Sequence, residues 1–310
     1  MSGRRTIWPS RLFVVTLSVA SLLAVVGLRA RDGGVKPAAA ALRAPRPLPG
    51  GDADRDGIAD ALESAVARRY APVVILDPDE RYRPASIDWL AGRVPGGSPT
   101  ARPRALSSML AQLGHGGAQF TEAVRTGSGD PRDWVTYVHV YPRVDGGLSV
   151  QYWFFYPYNH APLPFFNHEG DWEHVTVELQ PNGDPRGVSF AQHRNNDPGE
   201  YRSWAAVRRL GEHPIVLSAR GTHASYPDQR SVAWFDRASG CVRVDGCADA
   251  IWRTWEGGGL LNVGERGAML GAGEALAYDG LWGGSGRFLR ARAAPRGPVW
   301  QRAFHSGGFD

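Results

Sequence analysis

The stretch His168-Glu169-Gly170-Asp171-Trp172-Glu173-His174-Val175-Thr176-Val177-Glu178-Leu179 decides how the rest of the chain is interpreted. Its second half alternates as a β-strand does, which places Asp171 and Glu173 on the same face as three apolar residues, Val175, Val177 and Leu179. Carboxylates removed from water are costly unless they are protonated, paired with a base or bound to a cation. His168 precedes Asp171 by three residues, across a Glu-Gly turn, and can reach the same point. The pattern therefore predicts a divalent metal site, and its O/O/N ligands suit calcium, magnesium or manganese better than zinc.

Two further histidines are treated differently by the same argument. Alternation turns His174 to the opposite face of the strand, so it is not a predicted ligand. His223 follows a later strand in the loop Gly221-Thr222-His223-Ala224-Ser225, a position where ligands and bases are often displayed, and it is a candidate fourth ligand. A hydrogen-bonded structural role is the alternative for each of these histidines.

Length and charge limit the possible classes of protein. With 310 residues and 43% hydrophobic content, the chain can bury one substantial core or two small ones. Residues 1 to 50 contain eight basic residues and one acidic residue, a net +7 against +4 for the whole chain, so residues 51 to 310 carry −3. A mildly acidic body argues against nucleic acid as a partner.

The first 51 residues are predicted to be targeting and linker sequence. Residues 1–37 have the pattern of a signal peptide or signal anchor, with arginines before an apolar run over residues 12–28 and small residues further on. Residues 38–51 are rich in Ala, Pro, Arg and Gly, which is typical of a linker. We expect an exported protein that is either secreted or anchored outside the membrane by residues 12–28.

The two cysteines agree with export. Cys241 and Cys247 are predicted to form a disulfide that closes a short loop, as an oxidising compartment permits. A loop this short constrains little of the unfolded chain, so the stabilisation should lie at the low end of about 2 to 4 kcal/mol. Two cysteines six residues apart, with no second pair nearby, make a poor zinc site.

Residues 52–70 contain a second candidate metal site. The sequence from Asp52 to Glu63 follows the calcium-loop template, with a glycine at position 6 and ligand positions supplied by Asp52, Asp54, Asp56, Ile58, Asp60 and Glu63. It resembles the Asp-rich loops of EF-hand-like and thrombospondin type 3-like repeats. The alternative is an acidic helix N-terminus, because Ile58, Leu62 and Val66 recur at helical spacing.

Residues 71–310 are predicted to form a single β-sandwich domain. Strand signals dominate between residues 134 and 219, and Asp-Gly-Gly and Pro-Asn-Gly-Asp turns separate neighbouring strands. The predicted fold class is mainly β, an antiparallel β-sandwich with peripheral short helices and long Gly-rich loops. The aromatic run Trp153 to Tyr156 is interpreted as core rather than as a binding platform.

Familiar enzyme motifs are absent from the sequence. Trp172 stands where a zinc-protease helix would need its second histidine, and His223 stands where a serine elbow would have its nucleophile. No general base can be assigned apart from the metal-ligand candidates, so a catalytic role stays open.

Five segments of the chain resemble a known family: Ala71-Pro72-Val73, Glu80-Arg81-Tyr82-Arg83-Pro84-Ala85-Ser86, Tyr152-Trp153-Phe154-Phe155-Tyr156, residues 168 to 174, and Gly221-Thr222-His223-Ala224-Ser225-Tyr226-Pro227. They are similar to the vacuolar protein sorting-associated protein 62 family, over about residues 68 to 283. That family has no settled activity, so the resemblance implies a fold and a site rather than a reaction.

A more distant resemblance is to the necrosis- and ethylene-inducing-like proteins, whose Asp-Trp-Glu heptapeptide lines a metal-binding cavity on a β-sandwich. This resemblance implies that His168, Asp171 and Glu173 match the metal-binding His, Asp and Glu of the heptapeptide. The chain departs from that pattern at Glu169 and Gly170, where the family carries basic residues. A further aspartate ligand of the family has no clear counterpart, so cytolytic activity is not implied.

Three functions follow as hypotheses. The first is an exported protein that binds a divalent metal ion. If this protein is an enzyme, metal-dependent hydrolysis is the natural class, in which the ion polarises a substrate oxygen or activates water. The second is a cell-surface module that binds a glycan or a lipid head group with the ion as a bridge. The third is a structural domain without metal, in which arginines pair with the strand carboxylates.

Overall fold

The structure is a computed structural model that describes residues 50–94, 120–192, 199–238, 250–283 and 294–304. The chain divides into residues 1–45 and 46–310, and every described residue belongs to the second unit. The predicted signal segment, nearly all of the linker and the predicted Cys241–Cys247 disulfide lie outside the described residues and stay predictions. Among the described helices, none combines the length and the apolar composition that a membrane span requires.

The described part of the chain contains three α-helices, thirteen strands and several short 3-10 helices. The α-helices are α1 (Asp60–Arg69), α2 (Ile87–Ala91) and α3 (Glu122–Arg125). The strands are β1 (Val73–Ile75), β2 (Thr136–Pro142), β3 (Leu148–Asn159), β4 (His168–Leu179), β5 (Pro185–Phe190), β6 (Glu200–Ser203), β7 (Arg209–Leu210), β8 (His213–Ser218), β9 (Ser225–Tyr226), β10 (Ile251–Arg253), β11 (Leu260–Asn262), β12 (Gly264–Glu265) and β13 (Ala268–Met269). The 3-10 helices are Pro131–Asp133, Pro164–Phe166, Gln229–Ser231, Gly271–Ala277, Pro298–Trp300 and Arg302–Phe304.

The strands form two main sheets. The larger sheet has the order β11-β2-β3-β4-β5-β6, and the smaller has the order β10-β1-β8-β7 with β9 added beside β8. The prediction of a mainly β, sandwich-like fold with short peripheral helices is confirmed. Two pairings differ from the predicted antiparallel pattern, since β1 pairs with β8 and β11 pairs with β2 in parallel. Both pairs join strands distant in sequence, where no hairpin fixes the relative direction.

The inner core lies between the two sheets. Side chains of the larger sheet, such as Tyr152, Val175 and Val177, pack with Val74, Val216 and Trp252 of the smaller sheet. The opposite face of the larger sheet is also covered, by an outer core in which Trp153, Phe155 and Trp172 meet α2 and Trp282. Because both faces are buried, the aromatic residues of β3 are core residues on both sides, as the sequence predicted.

Helix α1 corrects one feature of the sequence interpretation. Its acids fall in the first turn and its arginines in the last turn, as the helix dipole favours. The apolar spacing of Ile58, Leu62 and Val66 does not mark its buried side, because the helix begins at Asp60 and Leu62 is 48% exposed. Glu63 and Ala67 are buried instead. The buried side of the helix therefore carries a carboxylate, Glu63, which hydrophobic periodicity alone cannot predict.

The Gly-rich region after residue 256 also contains more regular structure than the predicted loops. Strand β11 extends the larger sheet, β12 and β13 form a small hairpin, and Gly271–Ala277 is a 3-10 helix. Short elements of this kind contain too few residues for a periodic pattern to emerge from the sequence.

Gly170 reverses the alternation at the start of β4. Glu169 reaches Phe120 and Arg125 on the side of the outer core, whereas Asp171 reaches His223 on the side of the inner core. Residues two apart on a regular strand would share a face. Gly170 lies between them with φ of +65°, in the left-handed region that favours glycine, and a Cβ there would lie 2.4 Å from the carbonyl oxygen of Trp282. The glycine thus separates one carboxylate from the other.

We predict that Gly170→Ala destabilises the protein by more than a matched substitution at Gly183. Gly183 also has positive φ, at +83°, but a Cβ there meets nothing within 4 Å. Gly183→Ala should therefore cost only the left-handed backbone penalty of about 1 to 2 kcal/mol. Gly170→Ala must also displace backbone at Trp282, so its cost should exceed that of Gly183→Ala by about 1 kcal/mol or more. Urea denaturation measures both, and equal losses would contradict the close approach at Trp282.

Candidate functional site

A histidine and a carboxylate meet at the end of the inner core. Asp171 comes from β4 and His223 from the loop between β8 and β9, and His223 Nδ1 lies 2.8 Å from Asp171 Oδ2. The other ring nitrogen, Nε2, donates to the backbone carbonyl of Tyr82 at 2.9 Å. A carbonyl only accepts, so two donated bonds describe an imidazolium. Burial alone lowers the pKa of His223, but hydrogen bonds and charges of Asp171 and Glu80 outweigh it and raise the pKa to about 9.

Glu80 supports this centre from the loop after β1. Its carboxylate accepts hydrogen bonds from the backbone N–H of Gly221 at 2.6 Å and of Tyr82 at 2.7 Å. Glu80 Oε2 lies 3.8 Å from His223 Nε2. Burial pushes the pKa of Glu80 upward, yet the hydrogen bond and the charge of His223 hold it below the usual value. Glu80 therefore fixes the loop that carries His223 and adds a second negative charge beside it.

The backbone of His223 is strained. Its φ of +56° is in the left-handed region, which residues other than glycine adopt uncommonly. Its ring stacks on Tyr156 with centroids 3.8 Å apart and planes 5° apart. Strained backbone conformations of this kind persist only where many surrounding contacts hold the residue in place, and they cluster at functional sites.

Two more carboxylates complete the acidic surroundings. Asp236 is buried and accepts hydrogen bonds from Thr222 Oγ1 at 2.9 Å and Tyr226 OH at 2.7 Å. Glu173 is partly buried on β4, and burial, followed by the charges of Asp171 and Asp236, raises its pKa well above the usual value. A bound cation would relieve the crowding of negative charge that raises the pKa of Glu173.

His168 is oriented at the start of β4. Its Nδ1 donates to the carbonyl of Gly170 at 2.8 Å, which leaves Nε2 as the nitrogen with a lone pair. Metal-ligating histidines commonly have this arrangement, in which one ring nitrogen donates to a carbonyl and the other faces the ion.

The structure brings the four predicted ligands together only in part. Asp171 and His223 are in contact and Glu173 lies near Asp171, but both nitrogens of His223 are already engaged. In this geometry His223 orients Asp171 rather than offering a lone pair. Among the described residues, the only group of three acidic, His or Cys side chains whose ligand atoms lie within 4.8 Å of one another is Asp52, Asp54 and Asp56. The joint site of His168, Asp171, Glu173 and His223 stays a prediction.

Sequence reasoning missed two members of the centre, Glu80 and Asp236. Both lie in loops far from β4 along the chain, so no local spacing connects them to Asp171. Glu80 falls within one of the segments that resemble the vacuolar protein sorting-associated protein 62 family, and that was the available signal.

A cavity of about 600 Å³ opens beside this centre. Glu80, Asp236 and Gly221 line it, and so do three arginines, Arg81, Arg220 and Arg237. Trp234 and Phe235 also line it, with exposed fractions of 94% and 41%. The cavity thus combines charged and hydrogen-bonding groups with exposed aromatic rings.

The predicted calcium loop has the shape of a cation site. Gly57 has φ of +92° at the sharp turn, Asp60 Oδ1 accepts from Ala53 N at 2.9 Å, and Asp56 Oδ1 accepts from Ile58 N at 2.7 Å. These bonds bend the chain so that the side chains of Asp52, Asp54 and Asp56 converge. Helix α1 then begins and supplies Glu63.

The converging oxygens have no hydrogen-bond donors among the described residues. Unpartnered buried oxygens are Asp52 Oδ1, both of Asp54, Asp56 Oδ2 and Glu63 Oε1. Burial, followed by the other acids of the loop, raises the pKa of Glu63 to about 8, and burial raises that of Asp56 to about 6. Asp54 and Glu63 are only 2% and 1% exposed, so water cannot satisfy them. The cluster could hold a metal ion, and its all-oxygen donors fit a hard cation.

Comparisons with known proteins support the predicted resemblance. No family model matches the chain. Two proteins of Saccharomyces cerevisiae are similar: the putative vacuolar protein sorting-associated protein TDA6, 31% identical over 26% of this chain, and vacuolar protein sorting-associated protein 62, 28% identical over 32%. The matches cover 22% and 25% of those proteins, so the chain spans about a quarter of their length.

Solved structures with a related arrangement are of the necrosis- and ethylene-inducing type. One is described as a toxin fold for microbial attack and plant defense, with 17% identity, coverage of 84% of this chain and 92% of that chain, and a TM-score of 0.40. Another is NLPPya in complex with mannosamine, with 14% identity, coverage of 85% and 97%, and a TM-score of 0.39. A third is necrosis and ethylene inducing protein 2 from the causal agent of cocoa's witches' broom disease, with 17% identity, coverage of 75% and 82%, and a TM-score of 0.33.

We predict that His223 and Asp171 are energetically coupled. His223→Asn keeps a side chain that tolerates positive φ but leaves Asp171 buried without its cation, which should lower the free energy of unfolding by about 3 kcal/mol. Asp171→Asn should cost a similar amount, while the double variant should cost less than the sum of the two. Chemical denaturation of the four proteins tests this cycle, and additive losses would show that the two side chains do not form an ion pair.

Proposed function

We propose that this protein is a sugar-binding module whose binding site is the cavity beside His223. The observation that carries the proposal is the composition of the cavity, in which fixed polar groups line the interior and exposed aromatic rings stand at the mouth. Hydroxyl groups of a sugar need such paired donors and acceptors, and the apolar faces of a sugar ring pack on aromatic rings.

The hydrogen-bonding state of the interior favours binding over catalysis. Both oxygens of Asp236 and both of Glu80 accept hydrogen bonds, and both nitrogens of His223 donate them. Groups held in this way are rigid and already engaged in hydrogen bonds, which suits recognition better than proton transfer. Metal-assisted hydrolysis at Glu173 is the second candidate, because its raised pKa is of the kind found at functional sites.

We further propose that the loop from Asp52 to Glu63 binds calcium. The ligands would be carboxylate oxygens of Asp52, Asp54, Asp56 and Glu63, with Asp60 and the carbonyl of Ile58 at the remaining template positions. Glu63 also accepts a hydrogen bond from Asn262 Nδ2 on β11 at 3.1 Å, so an ion held by Glu63 is linked to the larger sheet. Calcium would therefore stabilise the attachment of residues 52–63 to the larger sheet.

A second divalent ion at His168, Asp171 and Glu173 is proposed on different grounds. Burial and the charges of Asp171 and Asp236, which raise the pKa of Glu173, support it, and so does the available Nε2 of His168. With His223 orienting Asp171, the ligand set would be two oxygens and one nitrogen, open to calcium, magnesium or manganese.

The N-terminal pattern of residues 12–28 supports the proposal that the module acts outside the cell membrane.

The calcium loop can be tested by titration of the full chain. Asp54→Asn should abolish the heat of calcium binding seen by isothermal titration calorimetry, because it removes a buried ligand charge. Asp184→Asn, which alters an exposed turn acid bonded to Asn182, is the control and should bind normally. Binding at pH 7 should release about one proton, since the pKa of Glu63 is about 8 without the ion. Unchanged binding by Asp54→Asn would refute the loop as the site.

The sugar site can be tested on an array of neutral, amino and carboxylated oligosaccharides. Trp234→Ala should weaken the strongest signals by about tenfold, as the loss of an aromatic contact of about 1 to 2 kcal/mol requires. Val144→Ala is a matched control, because Val144 is also 94% exposed but does not line the cavity. No sugar bound by the wild type, or an equal loss with Val144→Ala, would reject the proposal.

The β4 metal site can be tested in an Asp54→Asn background, where the loop no longer contributes. Glu173→Gln should abolish binding of added magnesium, manganese or calcium, because it removes a ligand charge from the inner face. His174→Gln should leave binding intact, since His174 is buried on the opposite face beside Trp153. Chelator should then destabilise the His174→Gln protein and not the Glu173→Gln protein. Equal responses to chelator would exclude a site at Glu173.

A further inference from the structure

The loop from Asp52 to Glu63 leaves room for a ligand from elsewhere in the chain. Asp60 Oδ1 accepts a hydrogen bond from Ala53 N at 2.9 Å, and Glu63 Oε2 accepts one from Asn262 Nδ2 at 3.1 Å. Glu63 therefore presents one unengaged oxygen where the last residue of the calcium template usually binds through two. One oxygen from each template position gives about six ligands, the lower end of the range that calcium takes in proteins.

Strand β12 lies directly against the converging acids of the loop. Asp54 is 2% exposed, and neither of its carboxylate oxygens has a hydrogen-bond donor among the described residues. A Cβ placed on Gly264 would lie only 3.1 Å from the Cβ of Asp54, and Glu265 is the next residue of β12. Burial is the main cause of the raised pKa values of Asp54 and Asp56, and the charge of Glu265 adds to both. Glu265 thus belongs to the same group of negative charges, although it lies far away along the chain.

The carboxylate of Glu265 is held by His139 of β2. Because a carboxylate only accepts hydrogen bonds, His139 Nε2 donates to Glu265 Oε2, at 3.2 Å. The ring of His139 is fully buried and stacks on Phe304, with centroids 3.8 Å apart and planes 8° apart. The side chain of Glu265 is itself only 21% exposed. Metal-ligating carboxylates commonly accept an outer hydrogen bond of this kind, which orients them towards the ion.

We propose that Glu265 is a ligand of the calcium ion bound by the loop from Asp52 to Glu63. The inference rests on the calcium site proposed above and adds to it a residue that the loop template does not contain. The carboxylate of Glu265 would bring the ligand count to about seven and add a further negative charge beside the dication. The ion would then join the residues before α1 to β12, on the far side of β11.

Isothermal titration of the full chain with calcium chloride tests the contribution to affinity. Glu265→Gln keeps the shape of the side chain and an acceptor for His139 but removes the charge, so it should raise the Kd for calcium about tenfold or more. Glu256→Gln is the matched control, because Glu256 precedes β11 rather than following it and its side chain is 59% exposed. The control should bind calcium within about twofold of the wild type, since exposed charges contribute little.

Terbium luminescence distinguishes a ligand from a nearby charge. Terbium is a hard cation that binds oxygen ligands, and its lifetimes in H2O and D2O count the water molecules bound directly to it. The loop site is identified as the emission that Asp54→Asn removes. At this site Glu265→Gln should add about one bound water, because water replaces the lost carboxylate oxygen. Glu265→Asp, which keeps the charge on a shorter side chain, should also add water, whereas Glu256→Gln should not.

The possible failures are separable. An unchanged Kd for Glu265→Gln would overturn the proposal, and so would weaker binding without added water, because Glu265 would then act through its charge alone. If the wild type shows no calcium heat that depends on Asp54, the loop itself is refuted and this ligand with it.

Discussion

The imidazolium of His223 connects four parts of the chain that share no sequence proximity. It bonds Asp171 on β4 and the carbonyl of Tyr82 after β1, stacks on Tyr156 of β3, and is carried by a loop that Glu80 fixes through Gly221. The larger sheet is buried on both faces, so a carboxylate on its inner face is costly unless it is protonated or meets a cation. His223 supplies that cation at the sheet end, and the strained backbone of the residue is the cost of placing it there.

The position of this centre explains why the candidate site was partly predictable. Alternation along β4 placed Asp171 and Glu173 on the core face and His174 on the other, because strand periodicity depends only on neighbouring residues. The contribution of Glu80 and Asp236 depends on loops brought together by distant strand pairings, including the parallel pair β1 and β8. The reversal at Gly170 is likewise a matter of packing, since the glycine is needed where the chain passes the carbonyl of Trp282.

The two candidate metal sites also differ in how far the sequence predicts them. The loop from Asp52 to Glu63 takes its ligands from twelve consecutive residues, so its template could be read from the sequence and its oxygens converge without help from the rest of the fold. The candidate site on β4 needs a residue at the strand start, two on its inner face and a distant histidine to orient one of them. Local spacing predicts the first kind of site well, but for the second kind it predicts only the ligand types.

The cavity has buried polar groups in its interior and exposed aromatic and charged groups at its rim. Inside, Glu80 and Asp236 are fixed by hydrogen bonds, so a ligand meets groups that need no reorganisation before they bind it. Towards the mouth the groups become exposed, and aromatic rings and arginines replace the buried acids. Rigid polar groups in the interior can give selectivity, whereas exposed rings at the mouth give contact area and the arginines give electrostatic attraction. A ligand that extends from the interior to the mouth therefore engages both zones together.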